Sequence, residues 1–400
     1  HAGVVMTTVA TERRDYPGLD SLRGLAAISV LATHTSFWTG QYTHGLWGAA
    51  TERLNIGVSI FFVLSGFLLG RPFIAAMAAR TRAPGARRYF WHRALRIIPV
   101  FLLATVIAIL ALPENQGVSV ATWVGNLTLT QLYITGLLPA GLSHMWSLTT
   151  EVAFYLVLPL LMTVFARTAC RRRWNPWGML FGVALMVTLN VAWLGWMTGI
   201  HVGAHQWLPG FAAWFGVGIA LAIVTVDMSA RGTTWPRLTA LAHQPGLCWS
   251  MAAGLFAIST TPVAGPVLLV IPSPAAAITR TLLFAAIGGL VVLPSVLGPS
   301  RGTRYSDALA WAPLRHVGHI SYSFFCLHLL VVHGVARVLD IPLFTQRGWE
   351  LFSVSLVVSL IAAEITYRLV ERPTMKLKNR WIGASKAKAN VPAMAASTHH

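Results

Sequence analysis

Residues 19–34 read LDSLRGLAAISVLATH, an apolar run broken by Arg23 near its start and His34 at its end. The two residues are eleven positions apart. In an α-helix that is about three turns and a rise of about 16 Å, so both side chains fall on nearly the same face. If the run spans a bilayer, an arginine and an imidazole are costly guests there, and residues so placed are candidates for function. Whether it does is decided by the rest of the chain.

Of 400 residues, 55% are hydrophobic and 10% charged, against about 25% charged in an ordinary soluble domain. The mean hydropathy is positive. Apolar runs of bilayer-crossing length recur at about 21–38, 54–70, 94–112, 148–166, 177–198, 206–226, 247–269, 277–297, 317–336 and 351–370. The stretch 121–138 is apolar but interrupted and reads as interfacial or re-entrant. These runs predict an all-α polytopic membrane protein with about ten transmembrane helices.

Charge tests that count independently, because Lys and Arg concentrate in cytoplasmic loops. Segment 71–96 carries seven arginines, 167–173 four, 231–237 two, 301–315 three, and 368–388 seven Lys or Arg. The loops between them hold only Arg53, Arg280, Arg337 and Arg347. With Arg13 and Arg14, a ten-span topology puts 25 positive residues inside and four outside, so both termini are expected in the cytoplasm. The net charge of +18 follows from this rule and needs no nucleic-acid partner.

One transmembrane domain is expected over 19–381, after a cytoplasmic N-terminal segment 1–18 and before a disordered tail 382–400. Residues 1–5, His399 and His400 read as non-native additions, the last two as a tag remnant. The first apolar run is too long for a cleaved leader and is read as the first helix. Cys170, Cys248 and Cys326 show no metal or redox spacing and read as structural, and no metal site is expected.

Further candidates are polar residues at membrane depth. SHMWSLTTEVAFYLVLPLL (143–161) places Glu151 in the first turn of the fourth span, entering from the outer side, at a depth similar to His34. A carboxylate bonded to one ring nitrogen fixes an imidazole's tautomer and raises its basicity. Such a pair removes a proton from a hydroxyl. The plainer alternative is a helix-capping Glu151 and a His34 bonded to a backbone carbonyl.

RRYFWHRALRIIPVF (87–101) puts Arg93 and Arg96 on one helical face, after Arg87 and Arg88 and at the inner depth of Arg23. Guanidinium groups gathered at a membrane mouth suit a phosphate-bearing ligand, although positive-inside decoration explains some of them. Asp20 is placed to cap the first helix. Ser65 and Gly66 in FFVLSGFLLG (61–70) read first as small residues that let helices pack. Tyr322, Ser323 and His328 lie along the ninth span, and His144 just outside the fourth. Glu364 and Glu371 read as ion-pair partners of the inner arginines. Trp123, Trp146 and Trp207 fit an aromatic belt.

Taken together, these pieces resemble the acyltransferase-3 family of integral membrane acyltransferases. The segments at 19–34, 61–69, 87–101, 144–161 and 320–332, with the closing Glu371-Arg372-Pro373, run in the family's order across nearly the whole chain. The resemblance implies transfer of an acyl group, acetyl or succinyl, from cytoplasmic acyl-CoA to a hydroxyl of a cell-envelope carbohydrate or glycolipid. Acyl-CoA enters as co-substrate, with no permanently bound cofactor. By matched position His34 and Arg23 are the essential pair, supported by Glu151, with Arg93, Arg96, Arg88 and Tyr322 around the donor. Ser65, His144, Trp146 and His328 are candidates for the cavity or the acceptor site, Ser65 and Trp146 also as oxyanion donors.

Some family members carry a C-terminal hydrolase-like domain, and none is visible here. An Ala- and Arg-rich, Lys-poor composition points to a GC-rich bacterium and to its inner membrane, with lipid and an envelope acceptor as partners. Three alternatives stay open: a covalent acyl-enzyme on Ser65 or His34, acylation of a small molecule such as a macrolide, and a proton-coupled transporter.

Overall fold

The computed structural model describes residues 16–198, 200, 203–267 and 272–377. Most of the N-terminal segment, Arg13 and Arg14 within it, and the tail expected to be disordered lie outside the described residues. Helices and connecting turns are the only regular structure among the described residues. Ten helices fall where the apolar runs lie: α1 Pro17–Thr39, α2 Gly57–Ala78, α3 Ala86–Ala111, α4 Met145–Arg167, α5 Pro176–Met197, α6 Ala212–Arg231, α7 Pro245–Ser259, α8 Pro274–Leu297, α9 Ser321–Val338 and α10 Gly348–Thr366.

Eight of these segments are long and apolar enough to cross a bilayer; α1 and α7 are not. The other two fall short by length and composition alone, for different physical reasons. Helix α1 is long enough but less apolar than the eight, and its polar side chains are enclosed by protein. It packs against α2, α9, α10 and the short helix Ala312–His319, and Ser21, Thr33, Thr35, Ser36 and Thr39 are buried there. Helix α7 stops at Ser259, where Thr260, Thr261 and Pro262 follow, and Gly265 takes a left-handed φ of +89°. The stretch 121–138 forms two short helices, Val120–Leu127 and Gln131–Ile134, and no span.

Local sequence explains several helix ends. Pro17, Pro176, Pro245 and Pro274 stand in the first turns, where the missing N–H costs nothing. Asn175 and Ser273 cap α5 and α8 by accepting from the amides of Gly178 and Ala276. Asp20 does not cap α1. It lies inside the first turn and pairs with Arg23 at 3.6 Å and His319 at 3.3 Å, because Pro17 starts the helix three residues before it.

Small residues bring helices to backbone contact. A Cβ on Gly66 would lie 2.2 Å from the Phe215 carbonyl oxygen, and one on Gly218 2.0 Å from that of Val63. Helices α2 and α6 therefore cross backbone to backbone, as membrane helices do where glycines meet. Beside this crossing Phe215 stacks between Phe62 at 4.4 Å and Phe154 at 4.0 Å. Outward faces of α3, α4, α5 and α10 expose large apolar side chains, including Leu110, Leu160, Phe181 and Ile361. A soluble protein rarely exposes such a surface; lipid is its natural solvent.

Candidate active site

Two groups of polar side chains meet inside the bundle. The first is a cavity of about 240 Å³ between α1, α2, α3, α4 and α9. Arg23, Arg93 and Arg96 line it, together with Ser65, Glu151, Tyr155 and Tyr322. Arg93 and Arg96 share a helix face because they are three residues apart, and α3 begins at Ala86, early enough to carry both. Glu151 accepts hydrogen bonds from the Ser65 hydroxyl and, at 2.6 Å, from the Tyr155 phenol. The Tyr322 phenol donates to the Ile97 carbonyl at 2.7 Å, tying α9 to α3. Buried Glu371 lies in a π-helical turn, Tyr367–Glu371, that ends α10. It accepts from Ser323 at 2.6 Å and lies within electrostatic reach of Arg96 and Arg23. Glu364 pairs with His316 and Arg368.

The second group is a cluster of three histidines. His34 on α1 places Nδ1 2.8 Å from the Val30 carbonyl and 3.3 Å from Nε2 of His328. His328 on α9 places its own Nδ1 2.7 Å from the Phe325 carbonyl. His144, the residue before α4, is buried, and neither of its ring nitrogens makes a hydrogen bond. Its ring centroid is 4.5 Å from that of His328 and 6.1 Å from that of His34. Among the described residues no group of three His, Cys, Asp or Glu is placed to hold a metal ion. Phe325 belongs to both groups, lining the cavity and packing 5.0 Å from the His144 ring.

The expected pairing of His34 with Glu151 is corrected. Helix α4 begins at Met145, three residues before the expected start, so Glu151 lies in its second turn. Seven residues separate His144 from Glu151, about 10 Å along a helix. The helix therefore offers a histidine to His34, and its carboxylate goes to Ser65 and Tyr155. Trp146, considered as an oxyanion donor, stacks on Phe211 at 5.1 Å and is not among the cavity-lining residues. Arg88 is exposed and likewise not among them. Gly66 takes the plainer, packing role. Tyr155 was missed, although four residues after Glu151 puts it on the same helix face.

A bundle of apolar helices around half-buried arginines and a histidine cluster defines a class, the polytopic membrane proteins. The chain belongs to the acyltransferase-3 family, whose acyltransferase domain matches residues 16–368. It is similar to nodulation protein 10 of Rhizobium leguminosarum bv. viciae, 28% identical over 90% of this chain and 93% of that protein. It is also similar to acyltransferase MdmB of Streptomyces mycarofaciens, 28% identical over 91% of this chain and 92% of the relative. The peptidoglycan O-acetyltransferase OatA of Listeria monocytogenes is 26% identical over 92% of this chain, which spans 57% of that longer protein. No solved structure gives a significant match.

Proposed function

We propose that this chain is an O-acyltransferase of the bacterial inner membrane, with both termini in the cytoplasm. It takes an acetyl or succinyl group from cytoplasmic acyl-CoA and gives it to a hydroxyl of an envelope glycan or glycolipid on the outer side. The observation that carries the reading is the cavity lined by three arginines, one of them on the same helix as His34 and three turns from it.

Arg23, Arg93 and Arg96 hold the CoA phosphates, since guanidinium forks match phosphate oxygens. An extended pantetheine arm reaches roughly 15–20 Å, about the rise from Arg23 to His34. The thioester end passes Phe325, the ring shared by cavity wall and histidine cluster. His34 Nε2 takes the proton of the acceptor hydroxyl as its oxygen attacks the thioester carbon. The C–S bond then breaks, and the leaving thiolate takes that proton from His34. Products are the ester and free CoA thiol. Two further features support the reading: the positive-inside distribution of arginines, and peptidoglycan O-acetylation by a relative.

The test is release of CoA thiol from a panel of acyl-CoAs by purified protein in detergent, supplied with envelope extract. A macrolide in place of extract examines the small-molecule alternative. Turnover by the wild type and none by His34→Ala supports the proposal. Folded protein that neither binds CoA nor turns over any donor sinks it.

A further inference from the structure

We infer that His328 is the positioning partner of His34: its Nε2 accepts the His34 Nδ1 proton and thereby presents His34 Nε2 as the free base. This rests on the catalytic reading of His34, and it puts a histidine in the role the sequence offered to Glu151.

Hydrogen-bond chemistry leaves little freedom in the assignment. A carbonyl oxygen only accepts. Val30 O is 2.8 Å from His34 Nδ1, so that nitrogen carries a proton. Phe325 O is 2.7 Å from His328 Nδ1, so that nitrogen carries one too. A neutral imidazole holds a single N–H, and His328 Nε2 is therefore a lone pair. It stands 3.3 Å from His34 Nδ1. The His34 N–H is shared between a carbonyl four residues back on its own helix and an imidazole from α9. Both carbonyls belong to helix backbone that packing holds in place, so both tautomers are built into the fold. Among the described residues His34 Nε2 has no hydrogen-bond partner, and the His34 side chain is only partly buried.

The ring that sets His328 in place is also visible. Phe324 stacks on it at 6.1 Å with an interplanar angle of 7°, and His144 closes another side at 4.5 Å. His328 itself is fully buried, at 0% exposure. A buried side chain whose one free nitrogen is aimed at a neighbouring imidazole matches the general pattern of base and orienting group. In proton bookkeeping, His34 gains a proton at Nε2 from the acceptor hydroxyl. The Nδ1 proton then moves closer to, or onto, His328 Nε2, and returns when the thiolate is protonated.

The experiment has two arms. Nitrogen-15 spectra of histidine-labelled protein, assigned by difference with His34→Gln and His328→Gln, read both tautomers without any substrate. The expected result is N–H at Nδ1 in both rings and an unprotonated Nε2 in His328. A proton on His328 Nε2 overturns the inference whatever the protein's activity. The second arm compares kcat and donor KM in His328→Ala and His328→Gln. Partners that orient metal-bound histidines are worth about 10- to 100-fold, and the same order is expected here. His328→Ala should lose that in kcat at unchanged donor KM, and His328→Gln, whose amide oxygen accepts a hydrogen bond, should recover part of it. Wild-type kcat in a folded His328→Ala overturns the inference. If all variants and the wild type lack transfer while the tautomers are as expected, the acyl-transfer reading fails and the positioning geometry stands.

Discussion

At the scale of single residues, the two polar groups make opposite demands, and substitutions separate them. His34 is asked for proton transfer, a contribution of about 10²- to 10⁴-fold in rate. His34→Ala should lose that in CoA-thiol release while its affinity for CoA, read by calorimetry, stays near wild type. Arg96 is asked for charge. Arg96→Ala should weaken CoA binding by about tenfold, the worth of a charge-assisted hydrogen bond, with little effect on turnover at saturating donor. Glu151 stands among the same arginines as the one acid lining the cavity among the described residues. Removing it in Glu151→Ala takes a negative charge from beside the proposed phosphate site, and CoA should bind more tightly, by a few-fold. Opposite signs for Arg96 and Glu151 in one titration are the expected outcome; a shared sign would separate the cavity from the phosphates. The histidine alignment was legible only in part: His34 follows from a spacing, whereas His328 and His144 sit on elements 294 and 110 residues away.

At the scale of elements, the α2–α6 crossing is a close contact that its glycines permit. Gly66→Ala puts a methyl group 2.2 Å from a backbone oxygen that has no rotamer to change. Overpacking of this kind costs about 1–3 kcal/mol, so the melting temperature in detergent should fall by several degrees. Gly254, which has open space at its Cβ position inside α7, is the control: Gly254→Ala should not lower it, since alanine favours a helix interior. Helix α1 illustrates the other limit of reading elements from hydropathy. Its existence was legible but its start was not: Asp20 read as the cap, whereas Pro17 begins the helix three residues earlier. Its packing against four other helices was not legible either, because hydropathy measures a segment's affinity for lipid and much of α1 is covered by protein.

At the scale of the whole molecule, buried ion pairs and charge asymmetry carry the organisation. Arg53, one of the few positive residues expected outside, is fully buried. It bonds Glu52 at 2.5 Å, the Ser259 carbonyl at 2.7 Å and the Gly265 carbonyl at 2.8 Å, joining the approach to α2 with the α7–α8 connection. Arg53→Ala leaves a buried carboxylate and carbonyls without their partner, a change worth about 3–5 kcal/mol. The expected result is a marked loss of thermal stability and of monodisperse protein. For topology, Arg82→Cys and Leu343→Cys in a cysteine-free background should react with a membrane-impermeant reagent from opposite sides, Arg82→Cys from the cytoplasm. Labelling of both from one side would overturn the proposed orientation.

Composition and the run of apolar segments were sufficient, without coordinates, to specify a polytopic helical protein. A handful of ordered motifs was sufficient to indicate its family. Both depend on short-range facts: how many consecutive residues suit lipid, and which residues recur at fixed spacing. The partners of the polar side chains depend on how helices are rotated and offset against one another. His34 meets His328 of α9, while Glu151 of α4 goes to Ser65 and Tyr155. Only packing decides such an offset, because the glycine crossings and aromatic stacks that set it join residues far apart in the chain.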